Sequence, residues 1–419
     1  MPLTDNLFQD KTANINDKVS VMHKPVTAWV ILFLSLSLTL IGWMVSTDYY
    51  EQITTVRFGH GANDIVKSIE NHMEDYQIAL NGGVALFRTR EDVTREEWKT
   101  YVETINIEKN LPGIQGLGFA IPIVANELKN HENEIRSQGF SGYSVNPNTE
   151  RDFYTSIIYL EPFDWRNKRA FGYDMWSNEI RQEAMKRARD TGLPATSGII
   201  TLVQETEEDI QKGFLTYLPV YKKGLPIGNI EQRRKAFKGW VYSPFRAENL
   251  INEIILPDTK EYSFKIYDGD SITSESLLYS SDGSTNMIKD EQMPSLFQHS
   301  VVTIYGRNWQ VQVYSNNDNT ISENSIPQFI AVGGIFIDLV LFYVILALAS
   351  LHKRAQTMAT VMTKEVKREQ KLLRTILDNI PFSIYLKDEK GKVTLVNRFE
   401  SQFLGANSEN QALTKLNKL

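Results

Sequence analysis

The residue types that usually carry catalysis or bind metals occur in this sequence without the spacing that such sites need. The stretch 139–143, GFSGY, misses the G-x-S-x-G nucleophile elbow, and 131–135, HENEI, lacks the second histidine of a zinc-binding helix. GKVT at Gly391 lacks the upstream glycine of a phosphate-binding loop. The chain has no cysteine, which excludes disulfides, thiolate metal sites and cysteine nucleophiles. We therefore predict no catalytic residue, no metal site and no cofactor in this chain.

The length and net charge of the chain limit the classes of protein to which it can belong. Its 419 residues are enough for two or three folded units. The formal net charge of -6 gives no global basic character of the kind that binds nucleic acid, so no nucleic-acid partner is expected. A globular chain with small-molecule, protein or membrane partners remains.

Two apolar segments are long enough to cross a bilayer as helices. The first, 26–47, lies between Lys24 and Asp48 and has no charged residue, and the second, 328–351, has only Asp338. A cleaved signal peptide is the alternative for the first segment, but its apolar part is too long and no small-residue cleavage site follows. We predict two transmembrane helices in the lipid bilayer.

The charges that flank these segments predict the orientation of the chain. Basic residues precede the first segment and follow the second, so the positive-inside rule places both termini in the cytoplasm. The N-terminus, 1–25, is then cytoplasmic and the region 48–327 is exported. Asp338 has two interpretations. It either tunes helix packing through a polar contact, or is a protonated side chain bonded to a neighbour such as Ser35, Ser37 or Thr39.

The exported region begins with a helical pattern and continues with strand patterns. From Tyr49 to Arg90, apolar residues recur at helical spacing, and the pair Gly82–Gly83 interrupts this pattern. Segments with glycine and proline punctuation and alternating apolar residues follow. They predict strands in two sheet-bearing halves, and hence an α+β fold.

One later segment predicts a helix with defined ends. Ser177 is the expected N-cap, and Gly192 is expected to end the helix. Ile180, Ala184 and Ala188 form the apolar stripe that we expect to face the core.

Seven short motifs occur in one order within this region. They are PGIQGLGFA from Pro112, YLEP from Tyr159, GYDMWS from Gly172, ARDTG from Ala188, LVQE from Leu202, GFLTYLPVY from Gly213 and GWVYSPFR from Gly239. Together they make residues 79–250 closely resemble the CHASE domain, the extracellular sensor of cytokinin-receptor histidine kinases and of many bacterial kinases and cyclases. The resemblance implies a long helix before two PAS-like sheets, with a small ligand in the membrane-distal sheet. It also implies a bacterial inner-membrane protein with a periplasmic sensor.

The resemblance further implies a ligand site. The aspartate of the D-M-x-S motif hydrogen-bonds an adenine ring in the plant receptors, which implies the same contact for Asp174. The other implied contacts are the main chain at Ala195 and Thr196 and the walls formed by Leu215, Tyr217 and Phe245. An apolar cleft with one acceptor suits a planar, purine-like heteroaromatic ligand. Two alternatives stay open: Asp174 binds backbone N–H groups beside a helix start, and Tyr217 and Phe245 are core residues.

A second resemblance concerns the part after the second apolar segment. Residues 352–376 carry apolar positions at near-heptad spacing, which predicts a short signalling coiled coil in a homodimer, with a solvated single helix as the alternative. Residues 377–419 resemble the opening of a PAS domain, with Asp388, Gly391 and Asn397 in their usual places. Because the chain ends inside that pattern, we expect the output module to lie outside it.

These expectations together describe a membrane receptor for a small extracytoplasmic ligand. The sequence has no phosphoacceptor histidine motif, no ATP-binding glycine box and no G-G-D-E-F stretch. A histidine kinase of a two-component system is the favoured output, and a diguanylate cyclase or phosphodiesterase is the alternative. A membrane-tethered extracytoplasmic enzyme is disfavoured by the missing catalytic groups.

Overall fold

The computed structural model of the chain describes residues 25–205, 210–255, 262–288, 293–315 and 325–418. The chain divides into two compact units. One is Asp48–Asn324, and the other combines Met1–Thr47 with Ser325–Leu419. The predicted cytoplasmic N-terminus, 1–25, lies outside the described residues except for its last position.

Long helices at both ends flank a sheet-rich middle. In chain order the described α-helices are α1 (Pro25–Thr89), α2 (Arg95–Ile105), α3 (Ile107–Asn110), α4 (Leu128–Ser137), α5 (Glu179–Thr191), α6 (Ile230–Ala236), α7 (Ala247–Ile254), α8 (Ile326–Asn379), α9 (Arg398–Phe403) and α10 (Glu409–Leu416). The strands are β1 (Leu117–Val124), β2 (Phe153–Glu161), β3 (Ala195–Thr196), β4 (Ile200–Thr201), β5 (Lys212–Tyr221), β6 (Phe237–Arg246), β7 (Tyr262–Asp268), β8 (Leu277–Ser280), β9 (Phe297–Ile304), β10 (Arg307–Ser315), β11 (Tyr385–Lys387) and β12 (Val393–Val396). The predicted mixture of helices and sheets is confirmed.

Helices α1 and α8 are each long and apolar enough to cross a membrane, as judged by length and composition. Their apolar parts pack against each other. The rings of Trp29 and Phe342 lie 4.9 Å apart, and the Thr39 hydroxyl donates to Asp338 Oδ2 at 2.9 Å. Gly334 provides the close approach, because a Cβ there would meet the Thr39 side chain. Asp338 is therefore bonded to the neighbouring apolar helix, as one of its two interpretations predicts.

The second part of α1 has the buried stripe that the sequence predicts, and the helix runs through Gly82–Gly83, where the apolar pattern is interrupted. The helix continues to Thr89. A Cβ on Gly82 would collide with the Tyr101 hydroxyl, and a Cβ on Gly83 would lie 3.0 Å from the Trp98 ring. The two glycines therefore let α2 pack closely against α1 rather than ending it.

Two antiparallel sheets pack along α1. Sheet 1 has the order β2-β1-β6-β5-β3, with β4 also paired to β5, and sheet 2 has the order β8-β7-β10-β9. Sheet 2 contacts the earlier part of α1, where the rings of Tyr262 and Phe58 are 5.3 Å apart. Sheet 1 contacts the later part, where the rings of Phe245 and Tyr76 are 5.2 Å apart. One apolar core runs along the helix beneath both sheets.

Helix α5 begins one residue later than predicted. Its N-cap is Asn178, whose side chain accepts a hydrogen bond from the Arg181 N–H at 3.1 Å. The prediction of Ser177 as the cap was wrong. Its hydroxyl instead donates to the Asp174 carbonyl at 2.6 Å inside a short 3-10 turn. Gly192 ends the helix in the left-handed conformation, as predicted.

The core-facing stripe of α5 also differs from the prediction. Ile180 is 43% exposed, whereas Arg181 is only 4% exposed and shares the buried face of the helix with Ala184 and Ala188. Positions 181, 184 and 188 are separated by three and four residues, which keeps them on one helix face better than two steps of four. A charged residue therefore occupies the position expected for an apolar one.

The chain after α8 forms a small hairpin region. Strands β11 and β12 pair antiparallel, and α9 and α10 follow. The Asn397 side chain donates to the carbonyls of Leu377 and Phe382 at 3.0 and 2.9 Å and accepts from the Ile384 N–H at 3.2 Å. These bonds fix the hairpin to the end of α8. The coiled coil and the PAS domain stay predictions.

Candidate functional site

Sheet 1 separates two cores, because neighbouring side chains along β5 and β6 point to opposite faces. The α1 face, packed against α1, contains Phe214, Leu218, Val241 and Phe245. The α5 face, packed beneath α5, contains Ala195, Leu215, Tyr217, Trp240 and Tyr242. The predicted ligand residues divide between these two faces.

Three of the predicted residues lie together on the α5 face. Ala195 of β3 pairs directly with Tyr217 of β5, and Leu215 lies two residues before Tyr217 on the same face. All three are buried. The small side chains of Ala184 and Ala188 let α5 approach the strands closely. The structure thus joins these residues in a covered, mainly apolar layer.

Asp174 is completely buried at the start of the turn that precedes α5. Its Oδ1 accepts from the Thr155 N–H at 2.8 Å, the Thr155 hydroxyl at 2.9 Å and the Trp176 N–H at 3.1 Å. Its Oδ2 lies 3.1 Å from Arg151 Nη2, an ion pair without hydrogen-bond alignment. Burial raises the pKa of Asp174, and the Thr155 bonds and Arg151 offset part of that rise. The carboxylate holds β2 to the turn.

Phe245 lies on the α1 face, away from the other predicted walls. Its ring stacks on Phe214 with centroids 4.9 Å apart and meets Tyr76 edge-on. Phe245 is therefore packed in the core beside α1, and the structure does not bring it to Tyr217 or Leu215.

The Thr196 side chain also points away from the α5 face. Its hydroxyl lies 3.0 Å from that of Thr216, its partner on β5. Its main chain is used elsewhere: the Thr196 N–H donates to the Tyr305 carbonyl at 3.2 Å, and its carbonyl accepts from Arg187 Nη2 at 2.6 Å. The main-chain groups of Thr196 therefore connect β3 to sheet 2 and to α5.

Arg181 is the residue on the α5 face that sequence reasoning missed. Its Nη2 donates to the Thr201 carbonyl at 3.2 Å, and its guanidinium lies over the Tyr173 ring at 4.8 Å. Its Nε is buried without a hydrogen-bond partner among the described residues. Only the helical spacing to Ala184 and Ala188 signals its burial, and arginine is a residue type that is rarely buried unpaired.

Two tyrosine hydroxyls on the same face are also incompletely bonded. The Tyr242 hydroxyl is buried without a hydrogen-bond partner among the described residues, and the Tyr217 hydroxyl meets only the Met175 sulfur at 3.6 Å. Burial raises the pKa of Tyr242 and of Tyr217, and the positive charge of Arg181 opposes both rises. Gly118 of β1 makes room for Tyr242, since a Cβ there would lie 2.5 Å from the tyrosine ring.

Residues 91–279 match the CHASE domain family. The chain contains a CHASE domain. The matched residues begin before α2 and end in β8, so the domain includes sheet 1 and reaches into sheet 2. A CHASE domain indicates a receptor that senses an extracellular ligand.

Among solved structures, the chain is similar to an extracellular ligand binding receptor from Desulfohalobium retbaense DSM5692, with a TM-score of 0.38 and 11% sequence identity. The similar region covers 62% of this chain and 40% of that receptor. This likeness is too low to assign a ligand or an activity. No curated protein matches the chain in sequence.

The CHASE domain also has an open cleft beside α2, with a volume of about 720 Å³. Arg95 lines this cleft, and its guanidinium carbon lies 4.4 to 5.9 Å from the ring centroids of Phe140, Tyr159, Phe163 and Phe171. Burial lowers the pKa of Arg95 and raises that of Glu161, which also lines the cleft. The lining residues include none of the predicted ligand contacts.

Proposed function

We propose that this chain is a membrane receptor whose CHASE domain binds a small extracytoplasmic ligand and whose helix α8 passes the signal to a cytoplasmic output module. The observation that carries the proposal is the position of the CHASE domain between two helices that are each long and apolar enough to cross a membrane. Basic residues lie on the outer flanks of both apolar segments, which favours an exported domain between them.

The ligand site that we propose is the α5 face of sheet 1. Sheet 1 packs on the part of α1 that is further along the chain from the apolar segment, as expected of a membrane-distal sheet. Ala195, Leu215 and Tyr217 supply apolar and aromatic walls there. These walls suit a planar ligand, including the purine-like class that the sequence resemblance implies.

We further propose that Asp174 acts on the ligand through the turn that it positions. Three donors already occupy its Oδ1, and Arg151 lies at its Oδ2. A ligand donor that contacts Asp174 directly would therefore have to reach Oδ2, which lies beside Arg151 and has no hydrogen-bond partner among the described residues. Phe245 in this proposal is part of the framework beside α1.

The output that we propose is a histidine kinase in a homodimer, with a diguanylate cyclase or phosphodiesterase as the second candidate. Helix α8 runs without a break from its apolar part through a charged part to Asn379, so a displacement at one end reaches the other. Apolar residues remain exposed along the charged part, including Met358, Met362 and Leu373 at 64, 59 and 60%. A second copy of the helix is the simplest cover for such a stripe.

Cysteine labelling tests the topology, because the chain has no cysteine of its own. Leu193 in the CHASE domain and Met362 in α8 are exposed positions for single substitutions. In bacterial spheroplasts, a membrane-impermeant maleimide should label Leu193→Cys and leave Met362→Cys unlabelled until the membrane is opened. Labelling of Met362→Cys alone in intact spheroplasts would reverse the topology and remove the sensor interpretation.

A further inference from the structure

Arg181 is a buried cation without a counter-charge in the part of the chain that the structure describes. The buried carboxylates near α5 already have cationic partners: Asp174 pairs with Arg151, and Glu205 with Arg246. Arg181 has a single carbonyl acceptor, a stacked ring and an unbonded Nε. Arg181 therefore takes part in none of the ion pairs formed among the described residues of the domain.

A buried charge without a partner destabilises a fold, so its presence needs another reason. The stripe of α5 does not require arginine, because its other core positions are Ala184, Met185 and Ala188. A methionine at 181 would fill similar space without a charge. The cost in folding stability is typical of a residue retained for binding.

The incompletely bonded polar groups of the α5 face have one chemistry in common. The guanidinium is a donor only, and the hydroxyls of Tyr242 and Tyr217 have donor capacity that no strong acceptor uses. Burial raises the pKa of both tyrosines, so both hydroxyls keep their protons at neutral pH. Three donors with one positive charge are complementary to an acceptor-only group with one negative charge.

We propose that the α5 face binds its ligand through a carboxylate, with Arg181 as the counter-charge and the hydroxyls of Tyr217 and Tyr242 as hydrogen-bond donors. A guanidinium binds the planar carboxylate with charge-assisted hydrogen bonds, which are stronger than neutral ones. The inference rests on the proposed receptor function and narrows it: the ligand is an organic acid, and its apolar remainder packs on Leu215 and Ala195.

The first test needs no ligand. In the purified full chain in detergent micelles, Arg181→Met should melt at a midpoint at least as high as that of the wild type, because it removes an unpaired buried charge. Lys186→Met, on the exposed side of the same helix, is the matched control for the loss of one charge. A midpoint of Arg181→Met well below both the wild type and this control makes Arg181 a structural residue and overturns the proposal.

The second test uses acids and their amides as probes. Formate, benzoate and nicotinate are each compared with formamide, benzamide and nicotinamide at millimolar concentration and equal ionic strength. At least one acid should raise the wild-type midpoint by roughly 3 °C, its amide should not, and Arg181→Met should abolish the rise. Equal shifts for an acid and its amide, equal shifts in wild type and Arg181→Met, or no shift with any acid would overturn the proposal.

Adenine separates this inference from the receptor function on which it rests. If adenine raises the midpoints of wild type and Arg181→Met alike, the receptor function stands and the acidic ligand is wrong. If the labelling experiment places the CHASE domain in the cytoplasm, the receptor function itself fails, whatever the acids do.

Discussion

The two faces of sheet 1 are built from alternate residues of the same strands, yet their buried side chains differ in polarity and in hydrogen bonding. The α1 face is apolar and aromatic: Phe245 stacks on Phe214, which in turn meets Trp309 of sheet 2 with ring centroids 5.1 Å apart. The α5 face buries Arg181 and two tyrosine hydroxyls with few bonds. One face is packed for stability, whereas the other keeps unsatisfied polar groups, which are rare in native cores and concentrate at functional sites.

The two faces are joined by a short chain of contacts. The Thr196 N–H donates to the Tyr305 carbonyl at 3.2 Å, and the Tyr305 hydroxyl bonds to the Met73 carbonyl of α1. Arg187 of α5 donates to the Thr196 carbonyl at 2.6 Å. A movement of α5 or β3 would therefore have a bonded route to the long helix.

The largest effect is expected on the α1 face. Phe245→Ala removes a fully buried ring that stacks on Phe214 and should lower the free energy of unfolding by about 3–5 kcal/mol. Urea titration of the full chain, followed by tryptophan fluorescence, measures the change. A loss below about 1 kcal/mol would mean that Phe245 is not a framework residue and would contradict the claim that the α1 face is packed for stability.

The next largest effect on stability is expected at one of two buried arginines, Arg246, and not at the other, Arg181. Arg246 has a bidentate partner in Glu205, with nitrogen–oxygen distances of 2.9 and 3.1 Å, whereas Arg181 has none among the described residues. Glu205→Gln should lower stability by about 3 kcal/mol, because it removes the buried carboxylate that forms the bidentate ion pair with Arg246. The same titration should find Arg181→Met neutral or stabilising. Equal losses in the two variants would remove the distinction between the two arginines.

The smallest change in stability is expected at Tyr242. Its hydroxyl is buried and unbonded among the described residues, so Tyr242→Phe should leave the free energy of unfolding within about 1 kcal/mol of wild type or raise it. The variant should nevertheless reduce the shift that an acid produces. A loss of stability above about 2 kcal/mol would indicate a bonded hydroxyl in the ligand-free fold and would contradict this view of the α5 face.

The sequence predicted those features that depend on local pattern. The apolar stripe of α1, the end of α5 at Gly192 and the runs that form β5 and β6 follow from periodicity and punctuation. The sequence shows that Gly82–Gly83 interrupts the apolar pattern but does not show why, because close packing against α2 is a tertiary effect. No pattern within one helix shows that a neighbouring helix needs the space.

The sheet face on which each residue lies could not be predicted from the sequence, because it depends on the register of the strands. Tyr217 of β5 pairs with Tyr242 of β6, and Phe245 is three residues from Tyr242, an odd number that sends it to the opposite face. A shift of one residue in that pairing would have placed Phe245 on the same face as Tyr217. Arg181 was missed for a different reason: its burial contradicts the usual preference of arginine, and only the packed structure reveals it.

The central claim is that the α5 face binds the ligand and the α1 face supports it. The most direct test measures the dissociation constant of the most stabilising of formate, benzoate and nicotinate for Tyr217→Phe and Phe245→Leu in the full chain, by titrating the melting midpoint. Tyr217→Phe should weaken binding about tenfold with little change in stability, since it removes one charge-assisted hydrogen bond of about 1.5 kcal/mol. Phe245→Leu should lower stability and leave the dissociation constant unchanged. The opposite pattern, with binding lost in Phe245→Leu and kept in Tyr217→Phe, would contradict the assignment of the two faces.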